Sequence, residues 1–213
     1  GRAVEVIEAS PDRIEPDCPW AGNCGGCTFR HCAYPAQLRF KKEVLVESLH
    51  GIPGAQELVR DVVPADPIND YRNKMVFSFG TTLDGELVLG LHRRGSFIHI
   101  LPADVCKLQS EASREIVRRV TALANDMQIP AFHEIRKTPG LRTLTIREAR
   151  GTGQRMVELV TTTPDDDLAE RLVTDLDDLA DSICLSLCTN THGAPRPEKR
   201  AILKGPGFIE ETL

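Results

Sequence analysis

The chain has 213 residues, with 26 Lys and Arg against 31 Asp and Glu, a formal charge of −5. Hydrophobic residues make up 41% and charged residues 27%, a balance that excludes a mainly disordered or collagen-like chain. No apolar run approaches the roughly 18 residues a membrane helix needs, and residues 1–17 lack the apolar core of a secretion signal, so a cytoplasmic monomer with no membrane partner is expected.

In chain order the first signal is a cluster of cysteines, Cys18, Cys24, Cys27 and Cys32, out of seven in all. An odd count without a signal peptide argues against a secreted disulfide framework, and clustered cysteines in a reducing compartment point to a metal. Two metals compete. Zinc would close a tetrahedral site from Cys18, Cys24, Cys27 and Cys32, all local. An iron–sulfur cluster also takes four thiolates, but its fourth is often remote, and Cys106 in Ala-Asp-Val-Cys-Lys-Leu is available.

A helix is predicted over 35–50, with Pro35 in its first turn, a stripe of Leu38, Leu45 and Leu49, and Gly51 as its stop. Met75, Phe77 and Phe79 alternate as in a strand; an Asp84-Gly85 turn and strands over 86–92 and 96–101 complete an antiparallel meander. A second helix is expected over 110–127, with Ile116, Val120, Leu123 and Met127 on one face. Strands follow over 141–148 and 155–162, joined by a turn at Gly151-Thr152-Gly153. Residues 165–181 carry eight acids and one base, leaving +2 for the rest of the chain, and read as a helix whose buried stripe is Leu168, Leu172, Leu176 and Leu179. A strand over 182–190 places Cys184 and Cys188 on one face roughly 13 Å apart, too far for a shared metal. Two short extended segments close the chain. Helices set among antiparallel strands predict an α+β fold. No glycine-rich dinucleotide fingerprint, P-loop or catalytic triad pattern occurs, so no catalytic residue is assigned.

The block Cys18–Lys41, written C-x5-C-G-G-C and then Tyr34-x-x-Gln37-Leu38-x-x-Lys41, resembles the cluster region of the RNA uracil-5-methyltransferases that act on 23S ribosomal RNA and transfer RNA. Tyr71-Arg72-Asn73-Lys74, Gly90–Ser96, Asp104-Val105-Cys106, Leu141–Leu144 and Gly207–Glu211 extend the resemblance over nearly the whole chain. It implies a [4Fe–4S] cluster on Cys18, Cys24, Cys27 and Cys106, with Cys32 left out. It also implies an RNA partner, 23S ribosomal RNA ahead of transfer RNA, and S-adenosylmethionine held by a separate Rossmann-like domain whose cysteine attacks C6 of uracil to activate C5.

Neither that cysteine motif nor that domain's glycine loop occurs in this sequence. The resemblance therefore implies a segment of a longer enzyme, inactive alone: residues 1–14 as the end of an OB-like RNA-binding domain or linker, and 15–213 as the cluster-bearing central domain. Arg72, Lys74, Arg93, Arg94 and Arg142 are the candidates for phosphate contact, and Phe29, Tyr34 and Tyr71 for stacking on unpaired bases. The alternative from a different class is a stand-alone RNA-binding module holding zinc or iron–sulfur, without catalysis.

Overall fold

The computed structural model describes residues 5–82, 85–133, 135–163, 165–190 and 195–212. These form two compact units, one of Gly1–Asn23 with Cys27–Ile68 and one of Cys24–Gly26 with Asn69–Leu213.

In the first unit, helix α1 (Tyr34–Ser48) begins with Pro35 in its first turn, where a missing N–H costs nothing. The Gln37 side chain turns back and donates to the carbonyl oxygens of Cys32 (2.8 Å) and Phe29 (3.2 Å), satisfying two acceptors of the preceding loop. Tyr34 Oη accepts the Ala65 N–H at 2.7 Å. Residues 10–14 belong to this packing: Ile14 N–H donates to His31 O and Ala33 N–H to Asp12 O. The expected Leu38/Leu45/Leu49 stripe is not what α1 buries. Ala36 in its first turn is the buried residue, while Val44 and Leu45 are exposed. A four-residue helix, α2 (Ala55–Leu58), follows.

The second unit is built on one seven-stranded sheet, ordered β3-β2-β1-β4-β5-β6-β7. Its strands are β1 (Lys74–Thr81), β2 (Leu87–His92), β3 (Ile100–Pro102), β4 (Leu141–Glu148), β5 (Arg155–Thr161), β6 (Ser182–Leu187) and β7 (Lys199–Lys204). Every neighbouring pair is antiparallel except β5–β6, which is parallel. Helix α3 (Glu111–Asp126) connects β3 to β4, and α4 (Asp166–Leu176) makes the crossover between β5 and β6. Each helix starts at a side-chain cap: Ser110 Oγ accepts the Ser113 N–H, and an Asp165 carboxylate oxygen accepts the Leu168 N–H.

Cross-strand register explains the core. Phe77 lies opposite Leu144, Leu144 opposite Leu159, and Leu159 opposite Leu185, so one face of the sheet is a continuous apolar row. Ile116, Val120 and Leu123 of α3 and Leu168, Leu172 and Leu176 of α4 bury their stripes on this side of the molecule. Leu179 falls beyond the end of α4, where its N–H closes the last turn on Leu176 O. The alternate residues of β1 and β4 point the other way: Lys74, Val76 and Arg147 are exposed.

The α+β class holds, and the meander differs from the sequence reading at one strand. The third meander strand shrinks from 96–101 to Ile100–Pro102, because Ser96 Oγ accepts the N–H groups of Ile98 and His99 and folds those residues into a turn. In β2, a Cβ on Gly90 would lie 1.8 Å from Leu101 O, so only glycine lets β3 approach. The turn expected at Asp84-Gly85 involves Asp84, which lies outside the described residues; Gly85 itself adopts φ 89°.

Candidate nucleic-acid interface and cysteine loop

Of the candidate contacts, Lys74 lies on the sheet face turned away from the apolar row. Lys74 at the start of β1 stands directly opposite Arg147 of β4, and both are exposed. Two like charges facing each other across an antiparallel pair are destabilising unless an anion shares them. Arg72, just before β1, is exposed, with its main chain fixed by an N–H bond to Leu108 O. Arg93 and Arg94 are also exposed. They sit in a tight turn completed by Gly95 at φ 73°, with Arg93 N–H donating to His99 O.

Arg142 is different: it is only 5% exposed. Its guanidinium lies 4.5 Å over the Phe132 ring and donates to the Asn190 carbonyl and to Cys188 Sγ. Placed at the register shift between Leu141 and Thr143, it stiffens the interior and offers no exposed phosphate contact. Among the other basic residues near the cysteines, Arg30 is engaged bidentately by Asp17, Arg39 by Asp12, and Lys42 by Asp61. Tyr34 spends its hydroxyl on Ala65, whereas Phe29 and Tyr71 are about half exposed.

A cavity of about 650 Å³ opens on the same sheet face, at the end of β1 and β2. Ser78, Gly80, His92 and Thr143 form its floor, and the Phe97–Ile98 turn and the segment around Phe132–Lys137 its walls. His92 Nε2 is 3.1 Å from Ser78 Oγ. His133 Nδ1 accepts the main-chain N–H groups of Ile135 and Arg136, which leaves Nε2 to carry the ring proton. Sequence reasoning did not find this cavity, because its residues come from six separated stretches and share no spacing.

The cysteines divide by environment. Cys184 and Cys188 are fully buried; burial pushes the Cys184 thiol pKa up against the pull of Arg200, as suits a packing residue. Cys32 is buried, with its thiol directed to Ala33 O. In the second unit Cys24 forms a bridge with Arg93, and the adjacent Gly25 N–H donates to His92 O. Among the described residues no three or more His, Cys, Asp or Glu side chains are gathered as a metal-binding group. Two local features nonetheless suit an iron–sulfur cluster. The Gly26 N–H donates to Cys24 Sγ at 3.3 Å, the N–H···S bond that tunes such clusters, and the Cys24-Gly25-Gly26-Cys27 spacing keeps two thiols close in sequence.

The Arg150–Gly153 turn is occupied by the chain itself. The Glu211 carboxylate accepts the N–H groups of Arg150 (2.8 Å) and Gly151 (2.7 Å), and those bonds hold its pKa below the usual value. Thr152 Oγ1 and Gln154 Oε1 fix Glu210 beside it.

No protein-family model matches the chain. An RNA methyltransferase of Caldanaerobacter subterraneus subsp. tengcongensis is 36% identical over 165 residues, covering 76% of this chain and 36% of that protein. Another, of Chlorobaculum tepidum, is 32% identical over 231 aligned positions, covering 100% of this chain and 48% of that protein. Among solved structures, the Pyrococcus abyssi tRNA (uracil-54, C5)-methyltransferase, crystallised with S-adenosyl-L-homocysteine, matches with a TM-score of 0.70 at 25% identity, over 98% of this chain and 46% of that one. The sheet and the sequence blocks on it are thus those of RNA methyltransferases. Within that class the chain belongs to the RNA m5U methyltransferase family, and it spans about half the length, or less, of the curated relatives it matches. No helix among the described residues is long and apolar enough to cross a membrane.

Proposed function

We propose that this chain is the RNA-recognition part of an S-adenosylmethionine-dependent RNA uracil-C5 methyltransferase, with 23S ribosomal RNA ahead of transfer RNA as its substrate. The observation that carries the uracil-C5 part of the reading is the likeness over 98% of the chain to an enzyme that methylates C5 of a tRNA uracil; the order of the two RNAs is the one the sequence resemblance implies. The facing Lys74–Arg147 pair supports it physically, since a phosphate between two guanidinium or ammonium groups relieves their repulsion. S-adenosylmethionine is the cofactor because the neighbour was crystallised with S-adenosyl-L-homocysteine, what that donor becomes on giving up its methyl group. The chain alone binds without methylating, as no attacking-cysteine motif or cofactor loop occurs in its sequence.

Cys18, Cys24, Cys27 and Cys106 are the proposed ligands of a [4Fe–4S] cluster, on their spacing, on the family resemblance and on the fit of the Gly26 N–H at Cys24. When bound, such a cluster supplies a cross-link among sequence-distant thiolates, which stabilises the folded chain. The chain's own residues hold the RNA, and no step of methyl transfer is assigned to them.

The test is to incubate the product of the encoding gene with labelled S-adenosylmethionine and, separately, 23S ribosomal RNA and transfer RNA lacking the modification. 5-Methyluridine detected by mass spectrometry in the ribosomal RNA is the expected result. RNA binding with no methyl transfer to either would overturn it in favour of a binding module.

A further inference from the structure

We infer that the cavity at the end of β1 and β2 takes one unpaired nucleotide of the RNA, with its base stacked on Phe97 and its phosphate toward Lys137. The inference rests on the proposed RNA-binding role and adds to it the place where a base is read.

Three observations carry it. The volume, about 650 Å³, lies within the roughly 300–1,000 Å³ of small-ligand pockets. The chemistry of the lining suits an anion: Lys137, His92 and His133 line it, the buried Arg142 adds positive charge behind its wall without reaching a phosphate, and none of its described lining residues is acidic, although the whole chain is net negative. The third is Phe97, which is 74% exposed at the cavity's rim while Ile98 and Ile135 beside it are also exposed. A large aromatic left in water next to a basic hollow is the platform on which unpaired bases stack, and stacking tolerates any base.

The second aromatic of the wall has another task. The Phe132 ring is already covered by Arg142 at 4.5 Å, with the Lys137 ammonium 5.9 Å away, so it orients cations rather than receiving a base. On the floor, Ser78 with His92 and on the wall His133 Nε2–H offer the donors and acceptors that a base edge needs. A duplex cannot enter, because its bases are stacked and their faces occupied.

The experiment uses the full chain, a fluorescently labelled ten-nucleotide single-stranded RNA, and a duplex of the same length. Phe97→Ala is expected to weaken single-strand binding about tenfold, from the loss of one stacked base, and to leave duplex binding unchanged. Phe97 is exposed, so the fold is expected to survive its loss, which circular dichroism checks. Lys137→Gln is expected to reduce the salt slope of single-strand binding by about one. RNA carrying 4-thiouridine is expected to photocrosslink to the segments 93–102 or 131–137. If Phe97→Ala binds single strands as tightly as the parent, the nucleotide pocket is wrong while the RNA-binding role stands. If neither RNA binds the parent chain, both fail.

Discussion

Glu211 carries a carboxylate that the turn at Arg150–Gly151 holds through two main-chain N–H bonds. Hydrogen bonds to the charged form keep its pKa below the ordinary 4.5, so the contact stabilises the fold above that value and is lost as pH falls through the lowered one. The amides of Arg150 and Gly151 are therefore expected to be protected from hydrogen exchange at pH 7 and to lose protection, beyond the intrinsic trend, in acid. In Glu211→Gln that acid-dependent loss disappears; equal protection in both proteins at every pH would contradict the account. A sequence reading recognises a hairpin in Arg150–Gly153 but not its occupant, which lies about sixty residues away. The cysteines make a sharper test. Cys106→Ser is expected to abolish iron and sulfide binding in protein purified without oxygen, whereas Cys32→Ser, whose thiol is buried on Ala33 O, keeps both. Equal iron loss in the two variants would remove the ligand assignment. Arg142 shows the opposite limit of legibility, since nothing in Leu-Arg-Thr-Leu distinguishes a surface arginine from one stacked on a phenylalanine ten residues earlier.

The elements were legible where periodicity is strong. α3 is found at Glu111–Asp126 against an expected 110–127, and β4 at Leu141–Glu148 as expected, because both have a clear apolar repeat and defined stops. The β5–β6 pairing was not legible. Alternation reports which face is buried but not whether a neighbour runs parallel; the twenty residues between the strands, with a helix in them, are what permit the parallel crossover. Ser110 both caps α3 and donates to Glu148, so Ser110→Ala is expected to cost about 1 kcal/mol in urea unfolding. Leu172, fully buried in the α4 stripe, should cost about 2–5 kcal/mol on replacement by alanine. A Leu172→Ala midpoint indistinguishable from the parent's would mean that α4 is not part of the cooperative core.

For the molecule as a whole, charge placement matters more than net charge. The −5 total conceals an exposed basic pair, Lys74 and Arg147, on one face of the second unit's sheet and the net −7 of residues 165–181, in and after α4, on the side of the apolar row. Reversing Lys74 and Arg147 to glutamate is expected to weaken RNA binding and to flatten its dependence on salt by about two in logarithmic slope, as two phosphate contacts are lost. An unchanged slope would place the RNA elsewhere. The crossover that makes β5 and β6 parallel also obliges the chain to lay its most acidic segment opposite that basic face. That placement predicts a charge asymmetry across the sheet, reduced where Arg119 engages Asp178 and Lys204 engages Asp177. A polyanion arriving on the α4 side is repelled and one arriving on the other is drawn in, so orientation begins before contact, during diffusion. At low ionic strength fewer encounters would end in the wrong pose, and the association rate constant, rather than the lifetime of the complex, would register the difference.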